Sequence, residues 1–227
     1  MKHYSQLTLE KRYGIYSLLK TGQTQSKIAE VISVHKSTVS RELKRNRGGR
    51  GILKNRIGID QRPAIVDTRS RVGDWEADTI IEKAHKQAIV SITERKSGLA
   101  LIYKVDKRTK ENTEDAVKRL LHSISDKVHT ITSDNEKDFG NHEKIAKGLK
   151  CNFYFAHAYS SWERGTNENT NGLIRQYFPK SRDFRTITDS EIIHAMKRLN
   201  NRPRKRLGYK TPNQVFFGES FNVALTT

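Results

Sequence analysis

Among its 227 residues the chain has one cysteine, four prolines and two tryptophans, and only 25 acidic side chains against 43 lysines and arginines. A lone Cys151 forms no intrachain disulfide and supplies no cysteine-rich zinc site. No apolar run approaches the ~18–20 residues that a membrane-spanning helix needs. The opening Met1-Lys2-His3-Tyr4-Ser5-Gln6-Leu7 has no apolar signal segment, so the expectation is a cytoplasmic protein with no membrane partner. Internal repeats and extended low-complexity tracts are also missing. The shortage of acid leaves a formal charge of +18, which points to an anionic partner, nucleic acid first. The length suits one or two domains with a real core.

Hydrophobic periodicity divides what is there. Thr8 is placed to cap a helix carrying Leu9, Tyr13, Tyr16 and Leu19, with Gly22 as its stop. Thr24 caps a second helix holding Ile28, Ala29, Val31 and Ile32. After the turn Ser33-Val34-His35 a third runs from Lys36 to about Arg45, with Val39 and Leu43. Small Ala29 with Val34 and Val39 fits a helix-turn-helix, so residues 1–46 are expected as a small all-α DNA-binding domain. Its third helix would turn Ser37, Thr38 and Arg41 toward the major groove of double-stranded DNA and Lys44 and Arg45 toward phosphates. Residues 36–62 hold nine basic side chains and two acidic ones, which extends that footprint. Residues 47–72, with Gly48-Gly49-Arg50-Gly51 and Arg62-Pro63, read as a basic linker or an arm lying on something acidic.

From residue 73 the period changes to that of strands. Residues 75–81, 87–93 and 99–105 read as three meandering strands. A helix with Val117, Leu120, Leu121 and Ile124 follows, then strand 128–133, a helix around 145–149, strand 152–158 and a helix over about 166–178. The order βββαβαβα over residues 73–182 is an α/β core. Residues 183–227 form a helical, basic extension: Thr188-Asp189-Ser190-Glu191 has capping-box form, and the helix ends near Arg202-Pro203, where a basic cluster through Arg206 begins.

Three acidic positions stand out by where they fall. Asp78 lies in the first strand, Asp134 at the end of the fourth, and Glu168 near the start of the helix after the fifth. Strand ends and adjacent helix starts meet at one edge of an α/β sheet, and converging carboxylates need a cation, Mg²⁺ or Mn²⁺ by their hard oxygens. Such a site cuts or joins nucleic-acid strands. The plainer alternatives stay open: Asp134 capping the next segment and Glu168 favouring its helix dipole. Glu168, Gly172 and Arg175 share one helix face, where glycine gives room for a DNA backbone and Arg175 pairs with a phosphate or is merely solvated. Leu173, Ile174, Tyr177 and Phe178 take the sheet side. Cys151 with His157 on an apolar strand reads as a buried structural thiol, and Trp162 as either a base-stacking or a hinge residue.

Longer blocks carry a resemblance. Thr38-Val39-Ser40-Arg41-Glu42-Leu43-Lys44-Arg45-Asn46, Arg62-Pro63-Ala64, Gly73-Asp74-Trp75-Glu76-Ala77-Asp78-Thr79, Ser133-Asp134-Asn135 and residues 165–180 (Gly-Thr-Asn-Glu-Asn-Thr-Asn-Gly-Leu-Ile-Arg-Gln-Tyr-Phe-Pro-Lys) are similar to the transposases of the insertion-sequence-thirty family. That resemblance implies a ribonuclease-H-like, retroviral-integrase-type core with an acidic DDE triad. It selects Asp78 over Asp74 or Glu76, gives Asp78, Asp134 and Glu168 as ligands of Mg²⁺ (or Mn²⁺), makes Arg175 the accompanying basic residue of the catalytic site, and adds Lys180 as a DNA contact. It further implies binding of terminal inverted repeats, hydrolysis at the transposon ends, attack of the freed 3′-hydroxyl on target DNA, a homodimer or larger assembly on DNA, and a bacterial, nucleoid-associated setting. Two features depart from the family pattern: Glu136 stands where glycine is usual, and a helical region of about a hundred residues, the size of one small domain, is missing between residue 46 and Arg62. A shortened copy confined to DNA binding, acting as a repressor or competitor, is the alternative.

Overall fold

The computed structural model describes residues 7–46, 53–82, 87–157 and 161–218. Contacts group them into two compact units, the second beginning at Leu53.

The first unit consists of α1 (Leu9–Lys20), α2 (Gln25–Val31) and α3 (Lys36–Asn46). Both expected caps form: Thr8 Oγ1 accepts the Lys11 N–H and Thr24 Oγ1 the Lys27 N–H, each at 3.3 Å. Ile15, Ile28, Ala29, Val39 and Leu43 make its core. The turn before α3 passes through Ser33 in the left-handed region, at φ 51°, a conformation that lets the chain reverse within three residues at a cost in strain.

The second unit is built on a five-stranded mixed sheet. After a short helix α4 (Ile65–Thr68) come β1 (Asp74–Ile81), β2 (Ala88–Glu94) and β3 (Ala100–Val105). Then follow α5 (Lys110–Leu121), β4 (Thr130–Ser133), α6 (His142–Leu149), β5 (Asn152–Phe155), α7 (Gly165–Ile174), α8 (Asp189–Asn200) and α9 (Pro212–Phe217). The sheet order is β3-β2-β1-β4-β5, with β1 antiparallel to β2 and parallel to β4. This is the βββαβαβα order expected, and the Thr188–Glu191 capping box starts α8.

Alternation along the strands makes two cores. Trp75, Ala77, Val90 and Ile92 pack with Val117 and Leu121 of α5, Ile145 of α6 and Phe216 of α9. Trp75 meets Phe216 edge-on, at 5.6 Å between ring centres, and donates its indole N–H to the Lys127 carbonyl at 3.0 Å. On the opposite face Ile80, Ile89 and Ile102 pack with Ile174 of α7, Phe178, and Leu199 of α8. Leu173 and Tyr177, expected on the sheet side, are only partly buried there.

Residues 53–72 differ from the linker expected: they pack on the second unit. Val66 is fully buried, Leu53 lies against the first core, and the Phe155 N–H donates to the Ile57 carbonyl at 2.9 Å. Arg62 is buried and donates to Thr132 Oγ1 at 3.0 Å and to Asp67 Oδ1. A sparse apolar content hides this packing, because the segment is held by guanidinium–oxygen bonds as much as by hydrophobic area. No helix among the described residues is long and apolar enough to cross a membrane.

Candidate active site

Strand period two puts Asp74, Glu76 and Asp78 of β1 on one face. Their environments separate them. Asp74 is buried against Arg71, which donates twice to it at 2.9 Å, and against Thr130 Oγ1 at 2.8 Å. Glu76 is fully buried, ion-paired to Arg95, and accepts the Asn167 N–H at 2.8 Å. Asp78 lies where β1 runs past the end of β4. The parallel register pairs Glu76 with Thr132, and carried on two residues it aligns Asp78 with Asp134.

The two carboxylates share a cation. Arg164 Nη1 stands 3.4 Å from Asp78 Oδ2, and Nη2 is 3.5 Å from Asp134 Oδ2. Asp78 also accepts the Thr79 N–H and the Asn171 side-chain amide, both at 2.8 Å, and Asn171 accepts from Ser91 Oγ at 2.8 Å. Asp134 accepts the Glu136 N–H at 3.1 Å. Burial and the facing Asp78 push the Asp134 carboxyl up to about 7, with Arg164 opposing them. Burial works to lower the Arg164 pKa, but Asp78 and Asp134 hold it above its ordinary value.

A second acidic pair adjoins the first. Glu136 and Asp138 both bind Arg108, and Thr79 Oγ1 donates to Asp138 at 2.9 Å and to Glu136 at 3.2 Å. Burial raises the Glu136 pKa against the pull of Arg108. The residue standing where the family has glycine is therefore bound into a charge network beside Asp78.

The other expected residues fall as follows. Glu168 is exposed on the first turn of α7, three residues before Asn171, and makes no hydrogen bond or ion pair with Asp78 or Asp134. Gly172 is exposed, with open space where a Cβ would stand. Arg175 does not project freely toward solvent: its Nη2 donates to the Ile81 carbonyl at 2.7 Å, beyond the β1 residues that hold the site, and burial lowers its pKa. Lys180 is exposed beyond α7. In the first unit, Ser37 and Thr38 are half-buried on α3 and Arg41 is exposed, its Nη2 donating to Ser37 Oγ at 3.0 Å. The side chains of Lys44, Arg45 and Trp162 lie outside the described residues. Cys151 is partly buried rather than fully buried as expected, and burial pushes its thiol up to about 11. His157 is engaged instead by Glu163 and Asp60, at 2.8 and 2.7 Å.

Arg164 and Asn171 contact the acidic pair, and neither stands out in the sequence. One signal is there: a cation at the N-terminus of a helix opposes its dipole, so Arg164 ahead of α7 implies acids nearby. Among the described residues no three His, Cys, Asp or Glu side chains stand together to hold a metal ion. Two hard carboxylates with a guanidinium lodged between them are nonetheless a donor set that fits a divalent cation.

The raised Asp134 pKa sets a pH dependence. In the unfolded chain this carboxyl titrates near its ordinary 3.8, while in the folded protein it holds its proton to about 7. Between those values the folded state binds the extra proton, so the metal-free protein is expected to lose stability as pH rises from 3.8 to about 7. Melting temperatures in EDTA across that range check this. Asp134→Asn should flatten the slope, and an unchanged slope would refute the assignment.

Comparisons with known proteins fit both units. Residues 3–46 match a helix-turn-helix domain family. A transposase for insertion sequence element IS4351 of Bacteroides fragilis is 49% identical over 168 residues, covering 74% of this chain and 52% of that protein. Transposase InsI for element IS30A of Escherichia coli K12 is 33% identical over 172 residues, covering 74% of this chain and 45% of that one. The chain thus spans about half the length of the curated relatives it matches. Among solved structures, the catalytic core domain of BIV integrase superposes with a TM-score of 0.51 at 19% identity, over 65% of this chain and 95% of that one. The HTLV-2 integrase catalytic core domain in complex with magnesium gives 0.50 at 22%, over 63% and 95%. These likenesses establish the retroviral-integrase-like, ribonuclease-H-like fold of the core. A helix-turn-helix ahead of an integrase-like core, with 49% and 33% identity over 74% of the chain, makes this chain similar to the transposases of insertion sequence elements IS4351 and IS30A.

Proposed function

We propose that the protein is a DNA transposase that binds the terminal inverted repeats of an insertion sequence, cleaves at their ends and joins the freed 3′-hydroxyl to target DNA. The observation that carries this reading is the pairing of Asp78 and Asp134 across adjacent parallel strand ends, with α7 tied to Asp78 through Asn171. Asp78, Asp134 and Glu168 would hold Mg²⁺ or Mn²⁺, a reading that magnesium in the HTLV-2 core supports. When bound, the ion supplies activation of the attacking hydroxyl and charge compensation at the scissile phosphate. The chain's own residues prepare the site: Asn171 and the Thr79 N–H fix the orientation of Asp78, and Arg164 neutralises the pair until a cation replaces it. Arg175, tied to the Ile81 carbonyl, braces the end of β1 while keeping further N–H donors for a phosphate. We place the reaction in the bacterial cytoplasm, on nucleoid DNA and in a dimer or larger assembly that holds two ends. A role confined to repression is less well supported, because it requires no acidic pair.

The test is a cleavage and strand-transfer assay with Mg²⁺ or Mn²⁺ on DNA carrying the flanking repeats. Metal-dependent product supports the reading; binding without product under every metal tried overturns it. For the first unit we propose that α3 enters the major groove with Ser37, Thr38 and Arg41 toward base edges and Lys44 and Arg45 toward phosphates. Arg41→Ala is expected to weaken repeat binding by about 1–3 kcal/mol. Affinity should also fall steeply with salt, since each phosphate contact adds about −0.9 to the slope of log K against log salt. The slope will be smaller than the basic count suggests, because Arg62 is spent on Thr132 and Asp67. A flat salt response measured by fluorescence anisotropy would contradict the DNA footprint.

A further inference from the structure

A second concentration of charge lies beside α7, and the acidic site does not use it. Arg69, Arg204 and Arg206 line an open groove of about 340 Å³ with Gly165, Thr166 and Asn169, and no carboxylate is among the described residues lining it. The basic cluster after α8 thus meets an arginine from the segment after α4, some 135 residues away in the chain.

Each part of the groove is held in place. Arg206 Nη1 donates to the Lys96 carbonyl at 2.9 Å, and its guanidinium lies where a Cβ on Gly98 would stand. Gly98 is also at φ +72°, so both the space and the backbone there call for glycine. Arg204 Nη2 donates to the Leu199 carbonyl at 3.1 Å. Arg69 is exposed, sits at φ 52°, and makes no hydrogen bond or ion pair among the described residues. A non-glycine residue at such a φ costs of order 1 kcal/mol or more and persists where surrounding structure imposes it.

The charges repel one another. Burial lowers the Arg206 pKa and Arg69 lowers it further, against Glu94. Burial, Arg202 and Arg206 lower that of Arg204. Glu94 is already occupied by Ser97 and the Gly73 N–H. The groove also meets the first turn of α7, a ten-residue helix whose N-terminal dipole favours an anion, with the Asn167 N–H there already given to Glu76. Thr166, which lines it, is 8% exposed, and its hydroxyl is buried without a hydrogen-bond partner. Guanidinium forks, the positive end of a helix dipole and an unpartnered hydroxyl match the oxygens of a phosphodiester.

The geometry points to a DNA-backbone site in this groove, which guides a strand along α7 to Glu168, the residue directly before Asn169. It rests on the transposase reading, and it adds phosphate contacts outside the helix-turn-helix.

The test works without metal, so it is independent of whether the chain cleaves. Binding of labelled duplex to the full chain is followed in EDTA over a salt series, with one duplex carrying the terminal repeat and one unrelated. Asn169→Cys is separately cross-linked to duplex bearing a thiol tether on one backbone phosphate, with the unsubstituted chain, which keeps the partly buried Cys151, measured as background. Arg69→Gln with Arg206→Gln is expected to reduce the salt slope by about 2 and to cut residue-169 cross-linking at least about 10-fold. Loss confined to the terminal-repeat duplex assigns the groove to the transposon end, and loss on the unrelated duplex assigns it to target DNA. Arg206→Lys should retain the slope. An unchanged slope and cross-link yield overturn the site, as does a loss in Arg206→Lys equal to that in Arg206→Gln, which would mean a purely structural arginine.

Discussion

Glu168→Gln is expected to lower metal-dependent cleavage about 10³-fold or more while leaving repeat binding in EDTA unchanged. Glu168 is exposed on the first turn of α7 and makes no hydrogen bond or ion pair among the described residues. Removing its charge therefore breaks no contact, and the fold should melt within about 0.5 kcal/mol of wild type, as surface substitutions do. A large loss of rate with no loss of stability is the signature of a residue needed only when metal and DNA are present. Asp78→Asn and Asp134→Asn should lose cleavage equally, but they also relieve the crowding around Arg164, so they are the less clean variants. The competing third carboxylate is Glu136, bound to Arg108 and Thr79. Cleavage by Glu168→Gln comparable to wild type, with none by Glu136→Gln, would move the triad onto the loop after β4. Mn²⁺ binding by calorimetry gives the same choice without catalysis: only substitution of the true third ligand should weaken it.

The order of elements is legible in the sequence because the signals are local. Thr8, Thr24 and Thr188 mark helix starts by a hydroxyl that accepts a backbone N–H three residues on, and the apolar period changes from helix to strand at residue 73. The choice among Asp74, Glu76 and Asp78 is not legible from spacing. All three share one face, and only the β1–β4 register, a long-range fact, sets Asp78 opposite Asp134. Resemblance has to stand in for it. Arg164 is hidden for the same reason, since its two partners lie 86 and 30 residues away in the chain. The packing of residues 53–72 is concealed by charge: Arg62 reads as a DNA contact until Thr132 and Asp67 are seen to hold it. Spacing puts Arg175 on the face of Glu168, yet it folds back onto a strand carbonyl that helical geometry alone does not reveal.

The largest stability effect is expected at the buried pair beneath α7. Arg95 pairs with Glu76, donates to the Val66 carbonyl at 3.2 Å, and reaches Asp67 at 3.4 Å. Glu76 in turn holds the Asn167 N–H, so one ion pair ties α4, β1 and the start of the helix that carries Glu168. Arg95→Met would leave the fully buried Glu76 charge without its counterion, at about 3–5 kcal/mol. For a unit of this size that corresponds to a fall of roughly 6–20 °C in melting temperature. Burial already raises the Glu76 pKa, with Arg95 pulling the other way, so removing Arg95 drives it further up. The deficit of Arg95→Met relative to wild type should then shrink as pH falls, because the neutral carboxyl needs no cation. Glu76→Gln added to Arg95→Met should recover most of the loss at neutral pH, since neither partner then leaves a buried charge. A double variant as unstable as Arg95→Met, with a deficit independent of pH, would place the cost in packing and in the lost Val66 contact instead. Recovery of stability without recovery of cleavage is the expected outcome, because the Glu76→Gln amide keeps an oxygen for the helix anchor but does not restore the electrostatic balance beside Arg164.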